Sequence, residues 1–335
     1  MRPRVYLTQP IAASALERVR AVADVRVNDD PLRIPKLDEL CAAVREADIL
    51  MCLLHDSVSA EVIAANPALR AICSMAITPA NVDVAEATRR GIPVTVIPAP
   101  LLDDATADLA FGLLLAAGRR IAEADRAVRA GAVVGAQSRH FEALGVSGRT
   151  LGILGAGGVG RAMARRARAF GMKLLYHDPR RLSPDDEAGL GIAWAPFDEV
   201  FSRSDYVSVH VNLSPQTRHL IGARELALMK RSAYLVNSAR GALVDQPALV
   251  RALAEGRIAG AGLDVYEGEP EIEPALRAMP NVVLTPHMGS AVSSLREAMA
   301  NVVADNAIAV ASGARPPNCW NPEAYGVAGV VRRMR

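Results

Sequence analysis

Three short segments each place a polar or charged side chain just after an apolar run. They are Leu235-Val236-Asn237-Ser238-Ala239-Arg240-Gly241, Leu263-Asp264-Val265-Tyr266-Glu267-Gly268-Glu269-Pro270 and Leu284-Thr285-Pro286-His287-Met288-Gly289-Ser290. An arginine offers a planar fork of donors that can hold a carboxylate and polarise a neighbouring carbonyl oxygen. A histidine gives or takes a proton near neutral pH. A carboxylate beside that histidine favours its protonated form and fixes its tautomer. Arg240, Glu269 and His287 therefore suit the addition of a hydride and a proton to a carbonyl next to an anion, with neutral His287 as the base in the reverse direction. Glu267 is the nearest rival to Glu269, which stands among further acids at Glu271 and Glu273.

A hydride needs a carrier, and the sequence offers a place for one. Gly155-Ala156-Gly157-Gly158-Val159-Gly160 follows an apolar run over Thr150–Leu154 and opens a helical pattern over Arg161–Ala169. In such a turn Gly155 permits the sharp bend, Gly157 lets the backbone approach a pyrophosphate, and Gly160 lets the helix pack on the strand. The free N–H groups and partial positive charge of the helix start attract the anion. Asp178 ends the next strand, where a carboxylate meets the adenosine ribose hydroxyls. It disfavours a 2′-phosphate and so points to NAD. Arg180 and Arg181 follow Asp178 and keep NADP as the alternative.

Strands alternating with helices must position these groups, which predicts an α/β fold of parallel sheets. In the first hundred residues the strands are expected at Val5–Thr8, Val25–Val27, Ile49–Leu54, Ala71–Met75 and Val94–Val96, with helices such as Leu37–Glu46 and Ala60–Ala65 between them. One long helix is expected over Asp103–Ala127, then an irregular arm over Gly131–Arg149. Further strands follow at Leu151–Leu154, Lys173–Tyr176, Tyr206–Val209, Tyr234–Asn237, Gly262–Val265 and Val282–Leu284. The chain closes on an amphipathic helix over Ser293–Val310 and a Pro-rich, partly loose tail to Arg335.

The chain resembles the D-isomer-specific 2-hydroxyacid dehydrogenases, the family of glyoxylate/hydroxypyruvate reductase, D-lactate dehydrogenase, formate dehydrogenase and phosphoglycerate dehydrogenase. The resemblance rests on Asn237-x-x-Arg240-Gly241, on Leu263-Asp264-Val265 with Glu267-x-Glu269-Pro270, and on Pro286-His287-x-Gly289-Ser290 in one chain, and it runs to Trp320-Asn321-Pro322-Glu323. It implies two Rossmann/flavodoxin-like parallel-sheet domains with the active site in a cleft between them. The substrate (catalytic) domain is 1–101 with 293–335, and the dinucleotide-binding domain is 102–292. Arg240, Glu269 and His287 match the family's catalytic positions, with Glu269 rather than Glu267 because it stands directly before proline. The resemblance further implies cofactor contacts from Thr106, from the backbone of Gly158, Val159 and Gly160, from His210, Val211 and Asn212 with Thr217, and from Ala239, Asp264 and Gly289. It implies substrate contacts from Leu54, beside His55, and from Met75, Ala76 and Ile77, together with Arg240 and His287. A homodimer built mainly through the cofactor domains is also implied. His140, His177 and His219 match no functional position and are read as surface or structural.

The chain departs from that family in its first domain. The usual glycine-rich substrate loop is replaced by Ser74-Met75-Ala76-Ile77-Thr78-Pro79-Ala80-Asn81-Val82-Asp83, with Met75 and Thr78 where glycines are usual and Ala80 where an aspartate is. These residues narrow backbone freedom and add side chains to the pocket. Asp103 stands where a hydroxyl residue is common, Asn212 where proline is, and the arm over Gly131–Ser138 lacks the usual tryptophan; Trp320 is a further candidate to shape the pocket.

The bulk composition narrows the field. Of 335 residues 51% are apolar and 22% charged, as in an ordinary globular protein, and the net charge of +2 gives no pull toward nucleic acid or an anionic membrane. Arginines, which dominate the basic residues, are dispersed rather than clustered. Cys41, Cys52, Cys73 and Cys319 lack metal-ligand spacing and read as free thiols, mostly buried, in a reducing compartment. The start of the chain lacks the pattern of a signal peptide, and the most apolar stretch, Leu109–Ala117, is about half the length of a membrane span. A cytoplasmic NAD-dependent reductase of a small anionic 2-oxoacid such as glyoxylate or hydroxypyruvate is expected, without metal, nucleic acid or membrane. Two other readings stand beside it: an enzyme specialised for a phosphorylated, phosphonate or inorganic anion, and an NAD-sensing regulatory protein like the family's corepressors.

Overall fold

The computed structural model describes residues 2–28, 30–132 and 135–327. Val133 and Val134 of the expected arm, and the end of the tail from 328 to 335, lie outside the described residues. The chain forms two compact units, Met1–Leu101 with Ala291–Arg335, and Leu102–Ser290. No described helix is long and apolar enough to cross a membrane.

The first unit alternates β1 (Arg4–Leu7), α1 (Ala13–Val22), β2 (Asp24–Val27), α2 (Leu37–Arg45), β3 (Ile49–Cys52), α3 (Ala60–Ala64), β4 (Ala71–Ser74), α4 (Val84–Arg89) and β5 (Val94–Thr95). Its five strands are all parallel, in the order β2-β1-β3-β4-β5. Every residue of β3 and β4 is buried, which is why both segments read as unbroken apolar runs rather than alternating ones. The edge strand β2 is at most half-buried. The C-terminal helix Ser293–Ala311 packs along α1, where Arg18 Nη2 meets Asp305 Oδ1 at 2.5 Å and Ser14 Oγ donates to Glu297 Oε1 at 2.9 Å.

Of the tail expected to be partly loose, the stretch around residues 318–321 is tied to the first sheet. Cys319 bridges antiparallel to Thr95, and the Trp320 N–H donates to the Val94 carbonyl at 2.8 Å. The Asn321 side chain is buried and acts as one more rung of the sheet. Its Oδ1 accepts the Val94 N–H at 2.7 Å, and its Nδ2 donates to the Ile92 carbonyl at 3.1 Å and to Thr88 Oγ1 at 2.8 Å. The tail thus satisfies backbone groups that edge strand β5 otherwise leaves open.

The second unit begins with α5 (Asp103–Gly118) and α6 (Ile121–Arg129). The single helix expected over Asp103–Ala127 is therefore two. Arg120 adopts φ 55°, ψ 31°, a left-handed conformation that ends one helix and starts the next, and its guanidinium is held by Glu123 at 2.7 Å. Next come β6 (Thr150–Leu154), α7 (Gly158–Ala169), β7 (Lys173–His177), α8 (Pro184–Leu190), β8 (Ile192–Trp194), α9 (Phe197–Arg203), β9 (Tyr206–Val209), α10 (Ala223–Leu228), β10 (Tyr234–Asn237), α11 (Gln246–Ala254), β11 (Gly260–Leu263), α12 (Pro274–Ala278) and β12 (Val282–Leu284). The seven parallel strands run in the order β12-β11-β10-β9-β6-β7-β8. The direction of winding reverses between β6 and β9. Open α/β sheets hold ligands outside the carboxyl ends of their strands at such a point. β8 is too short and too exposed at its edge to read as a strand from its residues alone.

Candidate active site

Pairing in the second sheet continues one residue beyond the strand ends. His210 N–H donates to the Leu154 carbonyl at 2.7 Å, Gly155 N–H to His177 at 2.9 Å, Asp264 N–H to Asn237 at 2.9 Å and Thr285 N–H to Leu263 at 2.9 Å. With the strand registers, these bonds put Asp178, Gly155, His210, Ser238, Asp264 and Thr285 in one row across the carboxyl edge. The motifs read separately from the sequence therefore converge on one end of one sheet.

At the switch point Gly155 has φ +89°, and a Cβ there would stand 2.5 Å from the His210 carbonyl oxygen. The Gly160 Cβ position is 2.0 Å from the Gly155 carbonyl oxygen. Only glycines allow this strand, turn and helix to close so tightly. The first bond of α7 runs from Arg161 N–H to the Gly157 carbonyl at 2.9 Å. The amides of Gly158, Val159 and Gly160 therefore lack a carbonyl one turn back. The space beside Gly157 is open for 4 Å. An exposed cradle of this kind fits a dinucleotide's pyrophosphate. Asp178 closes the turn from the far side, Oδ2 accepting the Ala156 N–H at 3.0 Å and Oδ1 the Arg180 N–H at 2.9 Å. Arg181 is engaged by Glu187 at 2.9 Å and lies over the Trp194 ring.

His210 sits behind the turn with Nε2 2.9 Å from Ser208 Oγ. Burial pulls its pKa down to about 4, so it is neutral at physiological pH, and its buried Nδ1 has no hydrogen-bond partner. Val211 and Asn212 continue that loop, which Thr217 closes by donating to the Asn212 carbonyl at 2.8 Å.

Three loops on the β10, β11 and β12 side hold the proposed chemistry. Asn237 braces the first: its Oδ1 accepts Ala239 N–H at 3.0 Å and its Nδ2 donates to the Arg240 carbonyl at 2.9 Å. Arg240 is half-buried and donates from Nη1 to the Ala239 carbonyl at 2.7 Å. Burial lowers its pKa and the Glu269 charge opposes that shift. The second loop presses on the first at Gly241, whose Cβ position lies 1.9 Å from the Tyr266 carbonyl carbon. A Glu269 oxygen accepts the Tyr266 N–H at 2.7 Å, leaving Oε2 to meet His287 Nδ1 at 2.6 Å. Glu267 turns to Arg218 and to His219, 2.9 Å away. The geometry thus separates the two glutamates, and it gives His219 a structural partner.

The third loop hangs on Asp264, which is fully buried. Its Oδ1 accepts Thr285 Oγ1–H at 2.6 Å and the Met288 N–H at 2.8 Å, its Oδ2 accepts the Gly289 N–H at 3.0 Å, and its carbonyl accepts the His287 N–H at 2.8 Å. These bonds hold His287 at φ 56°, a left-handed conformation that costs a non-glycine residue about 1–2 kcal/mol. Thr106, on α5, approaches the same place: the Gly289 Cβ position is 3.5 Å from both Thr106 Oγ1 and Asp264 Oδ2. Among the residues expected to meet the cofactor, Thr106, Asp264 and Gly289 form one cluster, and Gly155–Gly160 with Asp178 and His210 form another.

The loops expected to meet substrate lie in the first unit, at the carboxyl ends of β3 and β4. Met75 and Ala76 are buried, whereas Leu54 and Ile77 are half-buried and His55 is exposed. No residue from Ser74 to Ala80 has a positive φ, so Met75 and Thr78 fit this backbone without strain. Met75 N–H donates to the Cys52 carbonyl at 2.9 Å and Ile97 N–H to the Ala76 carbonyl at 2.9 Å. Asn81 ties the two loops together, its Nδ2 donating to the Leu53 carbonyl at 2.9 Å and to the Asp56 carbonyl at 2.8 Å. Buried Asp56 accepts Thr8 Oγ1–H at 2.5 Å and the Leu53 N–H at 2.6 Å. Trp320 stands half exposed at the far edge of this sheet, beside β5.

Sequence reasoning missed Tyr266 and Thr285, which brace Glu269 and Asp264. The Tyr266 hydroxyl donates to the Thr285 carbonyl at 2.8 Å. Their signal was present: both stand inside the motif segments, Tyr266 between Asp264 and Glu267 and Thr285 two residues before His287.

Comparison with known proteins agrees with this geometry. Residues 111–289 match the family described as D-isomer specific 2-hydroxyacid dehydrogenase, NAD binding domain. A glyoxylate reductase of Thermococcus litoralis is 45% identical over 327 residues, covering 96% of this chain and 98% of that protein. A glyoxylate reductase of Korarchaeum cryptofilum is 45% identical over 330 residues, covering 98% of each. Among solved structures, a glyoxylate reductase from Paecilomyes thermophila is 33% identical with a TM-score of 0.81, covering 96% of this chain and 99% of that one. An NADPH-dependent glyoxylate/hydroxypyruvate reductase from Sinorhizobium meliloti is 32% identical, also with a TM-score of 0.81 and covering 96% and 99%. With its two parallel sheets and its dinucleotide turn, the chain belongs to the D-isomer specific 2-hydroxyacid dehydrogenase family and is an NAD(P)-dependent oxidoreductase.

Proposed function

We propose that the protein reduces a small 2-oxoacid of the glyoxylate or hydroxypyruvate kind, with Arg240, Glu269 and His287 acting on the substrate. The observation that carries this reading is the histidine–glutamate pair, His287 Nδ1 2.6 Å from Glu269 Oε2, with the loop that carries Arg240 packed against the Glu269 loop at Gly241. The 42–45% identity to glyoxylate reductases over nearly the full length supports the choice of substrate class.

Arg240 receives the substrate carboxylate and polarises the adjacent carbonyl oxygen. Its partial burial strengthens that interaction, because water competes less for the guanidinium. Glu269 holds the His287 ring through Nδ1, and Nε2 delivers the proton to the carbonyl oxygen. The Tyr266 N–H on the other Glu269 oxygen fixes the carboxylate that orients the ring. The nicotinamide, when bound, supplies the hydride. Thr106, Asp264 and Gly289, which lie together, would hold its carboxamide. Gly155, Gly157, Gly158, Val159 and Gly160 take the pyrophosphate, while Asp178, His210, Val211, Asn212 and Thr217 frame the adenosine and Ala239 lines the cofactor. Asp178 favours NAD over NADP, and the engagement of Arg181 by Glu187 supports that preference.

The unit formed by 102–290 acts as the dinucleotide domain. The other unit recognises substrate through Leu54 and through the loop of Met75, Ala76 and Ile77. A homodimer in the cytoplasm completes the reading. Light scattering tests the dimer. Oxidation of NADH and NADPH against a panel of 2-oxoacids and phosphonates tests the function: turnover confined to small 2-oxoacids is expected. A flat response with the cofactor still bound sinks the proposal.

A further inference from the structure

A carboxylate stands against the phosphate-binding turn. Asp103, the first residue of α5, points its side chain at the first residue of α7, so that a Cβ on Gly158 would lie 1.8 Å from Asp103 Oδ2 and 2.4 Å from its Cγ. A side chain at residue 158 would require the Asp103 carboxylate to move. Gly158 is also one of the three amides that open α7, next to the open space beside Gly157. Three cations of α7 are engaged by other acids, Arg161 by Asp186 at 3.1 Å. Arg166 binds Asp104 at 3.0 Å and Asp108 at 2.7 Å, and Arg165 binds Asp104 at 3.4 Å. Burial and the neighbouring Asp104 both push the Asp103 carboxyl above its ordinary pKa, and only Arg165 opposes them. A helix start favours anions; a fixed anion already there competes with an incoming one.

We infer that Asp103 sets the affinity of this turn: its carboxylate repels the dinucleotide's phosphates, weakening binding and speeding release. The inference rests on the assignment of residues 155–160 to the pyrophosphate. Repulsion acts on charge, so it falls on every ligand that carries the pyrophosphate and spares adenosine.

The test is the binding of NADH, followed by its fluorescence, with ADP-ribose and adenosine as competitors, to the full-length protein and to Asp103→Asn and Asp103→Ser. Asparagine keeps the shape, and serine is a second helix-starting residue should the first variant fold poorly. Removing one charge near a pyrophosphate is expected to lower Kd for NADH and ADP-ribose about three- to tenfold, with adenosine unchanged. The gap between wild type and variant should narrow as salt rises from about 50 mM to about 500 mM. Unchanged or weaker ADP-ribose binding in both variants overturns the inference, because Asp103 is then neutral to the ligand or accepts a bond from it. Equal tightening of adenosine overturns it too, by pointing to a change of shape. Absence of NADH binding to the wild type removes the cofactor reading itself.

Discussion

Gly241→Ala is a test of the active site that removes no functional group. The added Cβ would stand 1.9 Å from the Tyr266 carbonyl carbon, 2.0 Å from its oxygen and 2.5 Å from the Glu267 nitrogen. All three are backbone atoms on the far side of a braced loop, so none can swing away as a flexible side chain would. Ordinary contact requires the two loops to part by about 1.5 Å. Arg240 rides on one loop and Glu269, with His287, on the other. A misplacement of about 1 Å costs on the order of a hundredfold in rate, so kcat/KM for the oxoacid should fall at least a hundredfold, equivalent to about 2.7 kcal/mol. Overpacking should cost about 1–3 kcal/mol of stability and move Tm by several degrees, without abolishing the fold. The NADH Kd, read by fluorescence, should change far less than kcat/KM, because the glycine turn lies elsewhere on the sheet and only Ala239 of the cofactor contacts rides on the shifted loop. Steady-state turnover and thermal unfolding on the same preparation decide the matter. A variant that keeps kcat/KM within threefold of wild type shows that the Arg240 and Glu269 loops do not meet as described.

Other perturbations separate the roles further. Arg240→Ala should lower turnover on the order of a thousandfold while leaving NADH binding nearly intact, and parent-level turnover refutes its role. Glu269→Gln should lower kcat more than it raises the oxoacid KM; a change confined to KM would reassign it to binding. Asp264→Ala frees the Thr285 hydroxyl and the Met288 and Gly289 amides at once, so it should cost about 2–4 kcal/mol of stability and loosen the His287 loop, as thermal unfolding will report. His210 is held neutral with a pKa of about 4, below its unfolded value near 6.5. As pH falls from 6.5 toward 4 the unfolded chain takes up a proton that the folded one refuses, so stability present above pH 6.5 is lost across that window. His210→Asn should flatten the Tm profile there, and an unchanged slope would acquit His210.

Much of this molecule was legible from local pattern. Buried parallel strands read as short apolar runs, and all the strands that carry the site were found that way. Arg240 and His287 stood out as polar residues just past apolar runs, and the resemblance to the family added Glu269 to them. What escaped was set by backbone conformation or by non-local partners. Arg120 breaks a helix with neither glycine nor proline at the break itself, helped by Glu123. Asn321 impersonates backbone to a strand far away in sequence, and nothing near Trp320 or Pro322 announces it. Which glutamate serves His287 was ambiguous from spacing, because the answer depends on Arg218 and His219 drawing Glu267 away. Tyr266 was hidden by its ordinary appearance: it acts through its backbone N–H and its hydroxyl rather than through charge.

The Asn321 rung has a consequence for how the chain is made. The N–H of Val94 finds its acceptor only 227 residues later. On the ribosome, at about 5–20 residues per second, β5 must therefore wait on the order of ten seconds or more for its partner. Through that interval the first sheet carries an open edge, the kind of surface that recruits chaperones or stray strands. The intervening unit, whose strands pair among themselves, has what it needs to fold meanwhile. Order of assembly is thus written into the connectivity: the middle of the chain can finish before its beginning does.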